Sequence, residues 1–384
     1  MANSLFGLFS RKIKVSLVSA QKKRVLFVTS SLNLGGAERQ LLMLCLKLKN
    51  QVDVQIVSLE SEGPLKEKYL QAFPRMLLLK KKNPLRQMNS LRKIIRISKP
   101  DVVITWLYRA DLIGGLAAKL AGNIPVIWSA RNSAIPNFSI WKKFLLSFCS
   151  RIIPRIIVAN GSPAYEFHSS LGYQSHKLIV IPNLLASWTL NTSSKSRLLV
   201  ENLDIEELRI GIAARQVSGK GIIETIDTLY EGRLDLPTID LTIIGQESPE
   251  SVSWKLQGKY RGLTVIELKS DEELSRWFEG LDIYLMSSTA WESQPNSLLE
   301  AIAIGCPVLV SSSIDIQLSV PDLFLFDSDV PNSLCMRINN LILKRNLVAH
   351  QINLLQQTTL LNLGLEKVLL EWKSSIDRAA KIEF

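Results

Sequence analysis

The chain has 384 residues, 47% hydrophobic and 21% charged, which is material for two cores and excludes low-complexity, solenoid-repeat and disulfide-scaffold classes. Its net charge of +11 is uneven: residues 1–150 hold 25 Lys and Arg against 7 Asp and Glu, whereas residues 151–384 hold 21 against 28. The basic half suits an anionic surface such as an inner membrane leaflet, and with no recognised nucleic-acid motif beside it, nucleic acid is not expected as a partner.

In chain order, residues 1–21 read as an N-terminal extension, with the apolar residues of SLFGLFSRKIK preceding its charge, the reverse of a secretory signal. Short β-branched runs then alternate with helical stretches: RVLFVTS (24–30), VDVQIVSL (52–59), DVVITWL (101–107), PVIWSA (125–130), IIVAN (156–160) and LIVIPN (178–183). After the polar stretch TLNTSSKSRLLVENLD come RIGIAAR (209–215), DLTIIGQ (240–246), LTVIELK (263–269), DIYLMSS (282–288) and PVLVSSS (307–313). Near-continuous apolar strands between helices predict parallel sheets covered on both faces, hence an α/β fold of two doubly wound, Rossmann-like domains facing a cleft. The expected division is 22–188 for the first domain, 189–206 for a linker, 207–364 for the second domain and 365–384 for a C-terminal helix. No apolar run reaches spanning length, and Cys45, Cys149, Cys306 and Cys335 read as reduced core residues, so the cytoplasm is the expected compartment.

Three loops fall at the carboxyl edges of strands, where ligands bind in such sheets. In SSLNLGGAERQLL, Gly35 and Gly36 open a helix, allowing close backbone approach and offering free N–H groups to an anion. In RQVSGKG, Arg215 and Lys220 stand five apart, a fork and a point charge suited to phosphate oxygens. In WESQPNSLLEAIAIGCP, Pro295 fits a helix start, Asn296, Ser297 and Leu298 offer free N–H groups, and Gly305 stops the helix. Glu292 and Glu300 sit in this stretch with no Lys or Arg between Arg276 and Arg337. A carboxylate among Leu298, Leu299, Ala301 and Ile302 needs donors from elsewhere, and sugar hydroxyls are such donors.

These loops, in this order, resemble glycosyltransferase family 4, retaining enzymes of GT-B fold, from about Lys22 to Ser313. GGAER, the R-x4-K of RQVSGK and the E-x7-E of ESQPNSLLE followed by AIAIGCPV carry the likeness; WLYRADLIGGLAAKLAG and VIWSARNS look like the acceptor-side segments of bacterial members that build surface polysaccharides. The resemblance implies that Arg215 and Lys220 bind the donor diphosphate, Glu292 the transferred sugar and Glu300 the ribose, with Gly35, Gly36 and the N–H groups near Asn296 and Ser297 completing the donor site. Arg131 and Arg109 stand where many members have His, and Ser293 where the family usually has Gly. The implied activity is transfer of a sugar from a nucleotide diphosphate donor to a lipid-linked or polysaccharide acceptor in cell-surface glycan synthesis. No cofactor and no metal is expected. A nucleotide-sugar-binding relic and a GT-B nucleotide-sugar epimerase are the alternatives.

Overall fold

The computed structural model describes residues 22–80, 83–133, 139–201, 203–214, 220–231, 236–245, 262–268, 270–288, 292–313 and 318–381. Its first sheet has seven parallel strands, β1 (Arg24–Thr29), β2 (Asp53–Ser58), β3 (Leu77–Leu78), β4 (Val102–Trp106), β5 (Val126–Ala130), β6 (Ile156–Ala159) and β7 (Leu178–Val180), in the order β3-β2-β1-β4-β5-β6-β7. The chain reverses between β1 and β4, which opens a crevice at their carboxyl ends. Helices α1 (Gly36–Leu48) and α2 (Lys66–Ala72) cover one face, through Leu41, Leu44 and Tyr69. Helices α3 (Pro84–Ser98), α4 (Tyr108–Gly122) and α5 (Ile140–Ile152) cover the other, through Leu91, Ile113 and Leu146, and α6 (Ser162–Ser170) follows β6.

The second sheet has six parallel strands, β8 (Glu207–Ala213), β9 (Thr238–Ile244), β10 (Leu263–Ile266), β11 (Ile283–Met286), β12 (Val308–Ser311) and β13 (Leu325–Phe326), in the order β10-β9-β8-β11-β12-β13. Around it lie α7 (Ile222–Glu231), α8 (Asp271–Gly280), α9 (Asn296–Ala303), α10 (Ser333–Leu343) and α11 (Arg345–Asn362). All eleven strands expected from the sequence are present. The two it does not announce, β3 and β13, are two-residue edge strands, too short for any periodicity.

Helix α12 (Leu365–Ala380) crosses back to the first domain, where Val368, Leu369, Trp372 and Ile376 complete the core beneath β4 and β5. Trp372 stacks on Trp106, ring centroids 6.0 Å apart. The polar stretch between the sheets is equally committed, but to the second domain. Leu198 is fully buried in that core, and Ser196 Oγ donates to Asp282 O at 2.8 Å.

Asp282 closes this attachment. Its fully buried carboxylate accepts from the Arg197 and Arg209 backbone N–H groups, both at 2.9 Å, and from both guanidinium groups. Burial alone would raise its pKa; the hydrogen bonds from Arg197 and Arg209 outweigh it and hold the group down at about 2. Because the folded-state pKa lies below the unfolded one, the stabilisation is full above about pH 4 and is lost as pH falls toward 2. Asp282→Ala is expected to lower stability by about 2–3 kcal/mol at pH 7 by leaving charged donors unpaired. The deficit should shrink as pH falls from about 4 through 2; a deficit independent of pH in denaturant titrations would remove Asp282 from this role.

Candidate active site

The cleft lies at the seam of the two sheets, a cavity of about 750 Å³ reached by the loops after β1, β5 and β6 and by the loop before α9. That volume lies within the range of small-molecule sites. Gly35, Gly36, Arg131, Lys220, Glu292, Asn296, Ser297 and Glu300 all line it. Arg215 lies outside the described residues.

Helix α9 starts where the sequence places it. Its first intrahelical bond runs from Leu299 N–H to Pro295 O at 3.2 Å, so the N–H groups of Asn296, Ser297 and Leu298 precede the helical ladder. Gly305 takes a left-handed φ of 76° just after the helix. Tyr284 Oη donates to Ser297 Oγ at 2.7 Å, which pins this helix start to β11. Leu298, expected at the substrate, is wholly buried in the core of the second domain and is not among the cleft-lining residues.

Both glutamates have cations, and both come from outside the stretch that holds them. Lys220 pairs with Glu292, whose Oε1 also accepts from Ser288 Oγ at 3.1 Å. Arg39 of α1 reaches across the seam to Glu300, Nη2 to Oε1 3.4 Å. Burial pushes the Glu300 carboxyl up; Arg39 opposes that rise and Asp271 adds to it. Arg39 lies in the GGAER segment, yet its role was invisible in sequence because its partner is 261 positions away.

A polar network joins the domains at the same place. Asn183 donates through Nδ2 to Gln294 O at 3.0 Å and to Asn296 Oδ1 at 2.8 Å, and Gln294 Oε1 accepts from Asn183 N–H at 2.5 Å. Gln40 Nε2 donates to Asn296 Oδ1 at 3.1 Å, and Asn296 Nδ2 donates to Gly36 O at 3.1 Å. Ser293 lines the cavity, and its Oγ accepts from Ala164 N–H at 3.2 Å, satisfying the start of α6 from the other domain. None of Gln40, Asn183 and Gln294 is legible as a site residue from sequence, since their partners lie far along the chain.

Arg131 lies over the Trp106 ring, 4.0 Å from its centroid, and donates to Asn183 Oδ1 at 3.1 Å. Burial pushes its pKa down to about 9. Its Nη2 and the Asn160 Oδ1 are buried without protein partners, both on cleft-lining residues. Arg109, expected at the substrate, is instead engaged by Glu60 at 3.0 Å and Gln87 at 2.7 Å and is not among the cleft-lining residues. These contacts tie α4 to α3 and to the end of β2. Among the described residues no group of three or more His, Cys, Asp or Glu could hold a metal, and no helix is long and apolar enough to cross a membrane.

Gly36 gives this seam a direct test. A methyl added there would meet Asn296 Nδ2 at 2.9 Å, so Gly36→Ala must displace the amide. Gly36→Ala and Asn296→Ala should each destabilise, and together they should cost less than their sum, with a coupling of about 0.5–3 kcal/mol. Strict additivity in denaturant titrations would show the two residues to be independent.

Comparison with known proteins agrees with this geometry. The family model described as Glycosyltransferase Family 4 matches residues 34–185, and that described as Glycosyl transferases group 1 matches residues 208–343. No curated protein sequence matches significantly. Among solved structures, Anabaena HepE in complex with UDP-glucose is similar with a TM-score of 0.77 at 16% identity, over 92% of this chain and 99% of that one. A glycosyltransferase from Rickettsia africae is similar with a TM-score of 0.75 at 15% identity, over 94% and 100%. UDP-GlcNAc 2-epimerase from Neisseria meningitidis is similar with a TM-score of 0.58 at 16% identity, over 90% and 99%. Likeness at such identities speaks for the fold.

Proposed function

The chain belongs to glycosyltransferase family 4, with GT-B architecture, and we propose that it transfers a sugar with retention from a nucleotide diphosphate donor to a lipid-linked or polysaccharide acceptor in cell-surface glycan synthesis. The observation that carries the reading is the convergence of Lys220, Glu292, Glu300 and the α9 N-terminus on one cavity. The UDP-glucose held by the Anabaena protein makes a uridine nucleotide the first donor to try.

On this reading the α9 N–H groups, Lys220 and Arg215 take the donor diphosphate, and Lys220 exchanges Glu292 for phosphate as it binds. Glu292 is then freed for hydroxyls of the sugar, and Glu300 accepts from the ribose. The acceptor hydroxyl attacks the anomeric carbon on the face the donor leaves. The bond to the diphosphate breaks, and a diphosphate oxygen takes the acceptor's proton. Protein charge rather than a metal stabilises the leaving group, where one preorganised donor contributes about 10²–10³ in rate. Arg131 lines the same cavity from a segment that resembles the family's acceptor side, and on this reading it takes the acceptor. An excess of basic charge in residues 1–150 supports work at an anionic leaflet, as a peripheral protein on its cytoplasmic side.

A donor screen reading free nucleoside diphosphate, with membrane extract as acceptor, tests this. Wild type should release it, and Lys220→Ala should be slower by about 10²–10³. Binding without turnover would favour the relic, and an epimerised donor without released diphosphate would favour the epimerase. Within the site, Glu300→Gln should weaken nucleoside diphosphate itself, whereas Glu292→Gln should weaken only the intact sugar donor. Equal losses for both ligands in calorimetry would undo that division.

Proton linkage offers a second check. The ribose needs the Glu300 carboxylate, whose pKa is raised by burial, so nucleotide affinity should fall on the acid side as that group protonates. Arg39→Gln removes the cation that opposes the rise and should move this acid limb to higher pH. An unmoved limb in titrations across pH would detach Arg39 from Glu300.

A further inference from the structure

Helix α5 is held by a narrow edge. Leu146 and Cys149 point into the core, while Ile140, Trp141, Phe144, Leu145, Phe148 and Ile152 are between 47% and 81% exposed. At about 100° per residue these six fall within one arc of about 140°. Lys142 and Lys143 lie about 60° beyond either border of that arc, and Lys177 Nζ donates to Arg151 O at 2.5 Å, adding charge at the far end of the helix. Between Asp111 and Glu166 the sequence has six cations and no carboxylate. Helix α5 also follows β5, whose carboxyl end leads to Arg131 at the cleft, so the Trp141 end lies toward the substrate edge of the sheet.

We propose that the outer face of α5 is a membrane-docking surface, inserting its aromatic and aliphatic side chains at the headgroup boundary of an anionic leaflet while Lys142 and Lys143 engage the lipid charge. An exposed apolar stripe this continuous marks a partner surface. Aromatics on one side and lysines at the borders are the pattern of a helix lying in the interface plane. A second copy of the chain fits less well, because an isologous contact would face these cations with their own kind and no carboxylate of the segment to pair them. The inference gives the lipid-linked acceptor of the preceding section a place to be met, and it rests on that reading for its purpose, though not for its test.

The test is flotation of the full chain with vesicles of phosphatidylcholine alone and of phosphatidylcholine mixed with phosphatidylglycerol, beside light scattering and nucleotide titration. The wild type should bind the anionic vesicles, and less as salt rises. Trp141→Ser with Phe144→Ser should abolish binding. Lys142→Gln with Lys143→Gln should weaken it about 25-fold, fivefold for each charge, and flatten the salt dependence. All four substituted groups are on the surface, so nucleotide affinity should hold in every variant. Absent wild-type binding at low salt would overturn the proposal, and so would binding that survives the Trp141 and Phe144 changes, which would place the contact elsewhere, as in residues 1–21. A dimer that those changes dissociate would make the face a subunit interface instead. Lost donor turnover with vesicle binding intact would sink the transferase reading and leave this one standing.

Discussion

A carboxylate buried in a helix has to be answered by a donor, and among the described residues Glu300 has its cation across the seam, in Arg39. That constraint organises the molecule. It requires α1 of one domain to face α9 of the other, and the uncharged contacts of Gln40, Asn183 and Asn296 set the distance. Glu292 answers the same constraint within its own domain through Lys220. Each carboxylate thus has a protein partner that a competing ligand group can replace, and the replacement is cheap because the charge is never left bare.

The sheets, their parallel sense and the cleft loops at Gly35 and at Pro295 were legible because each is local. Buried strands read as apolar runs, Pro295 and Gly305 mark the ends of one helix, and Gly35 and Gly36 mark a close approach. What was not legible is relational. Arg39, Gln40 and Asn183 owe their places to partners more than a hundred positions away. Arg109 is claimed by Glu60 and Gln87, which nothing in its own segment announces. Ser293 stands where a glycine was expected to leave room, and its hydroxyl serves the α6 amide.

The two chain segments between the domains differ in kind. The first is fastened to the second domain by Asp282, Leu198 and Ser196. The second, between α11 and α12, lets the chain return to the first domain. The chain therefore crosses between the domains twice, and the contacts of Arg39, Gln40, Asn183 and Asn296 close the seam between the crossings.

Helix α12 also sets an order of assembly. It supplies Trp372, Val368 and Ile376 to a core whose other members lie between Val25 and Leu184, and residues 207–343 are synthesised in between. During translation the first sheet therefore waits with Trp106 and its neighbours open on one face while the second domain is completed. The nascent chain carries an unfinished apolar surface while residues 185–367 are made, the condition under which chaperones engage and aggregation competes with folding.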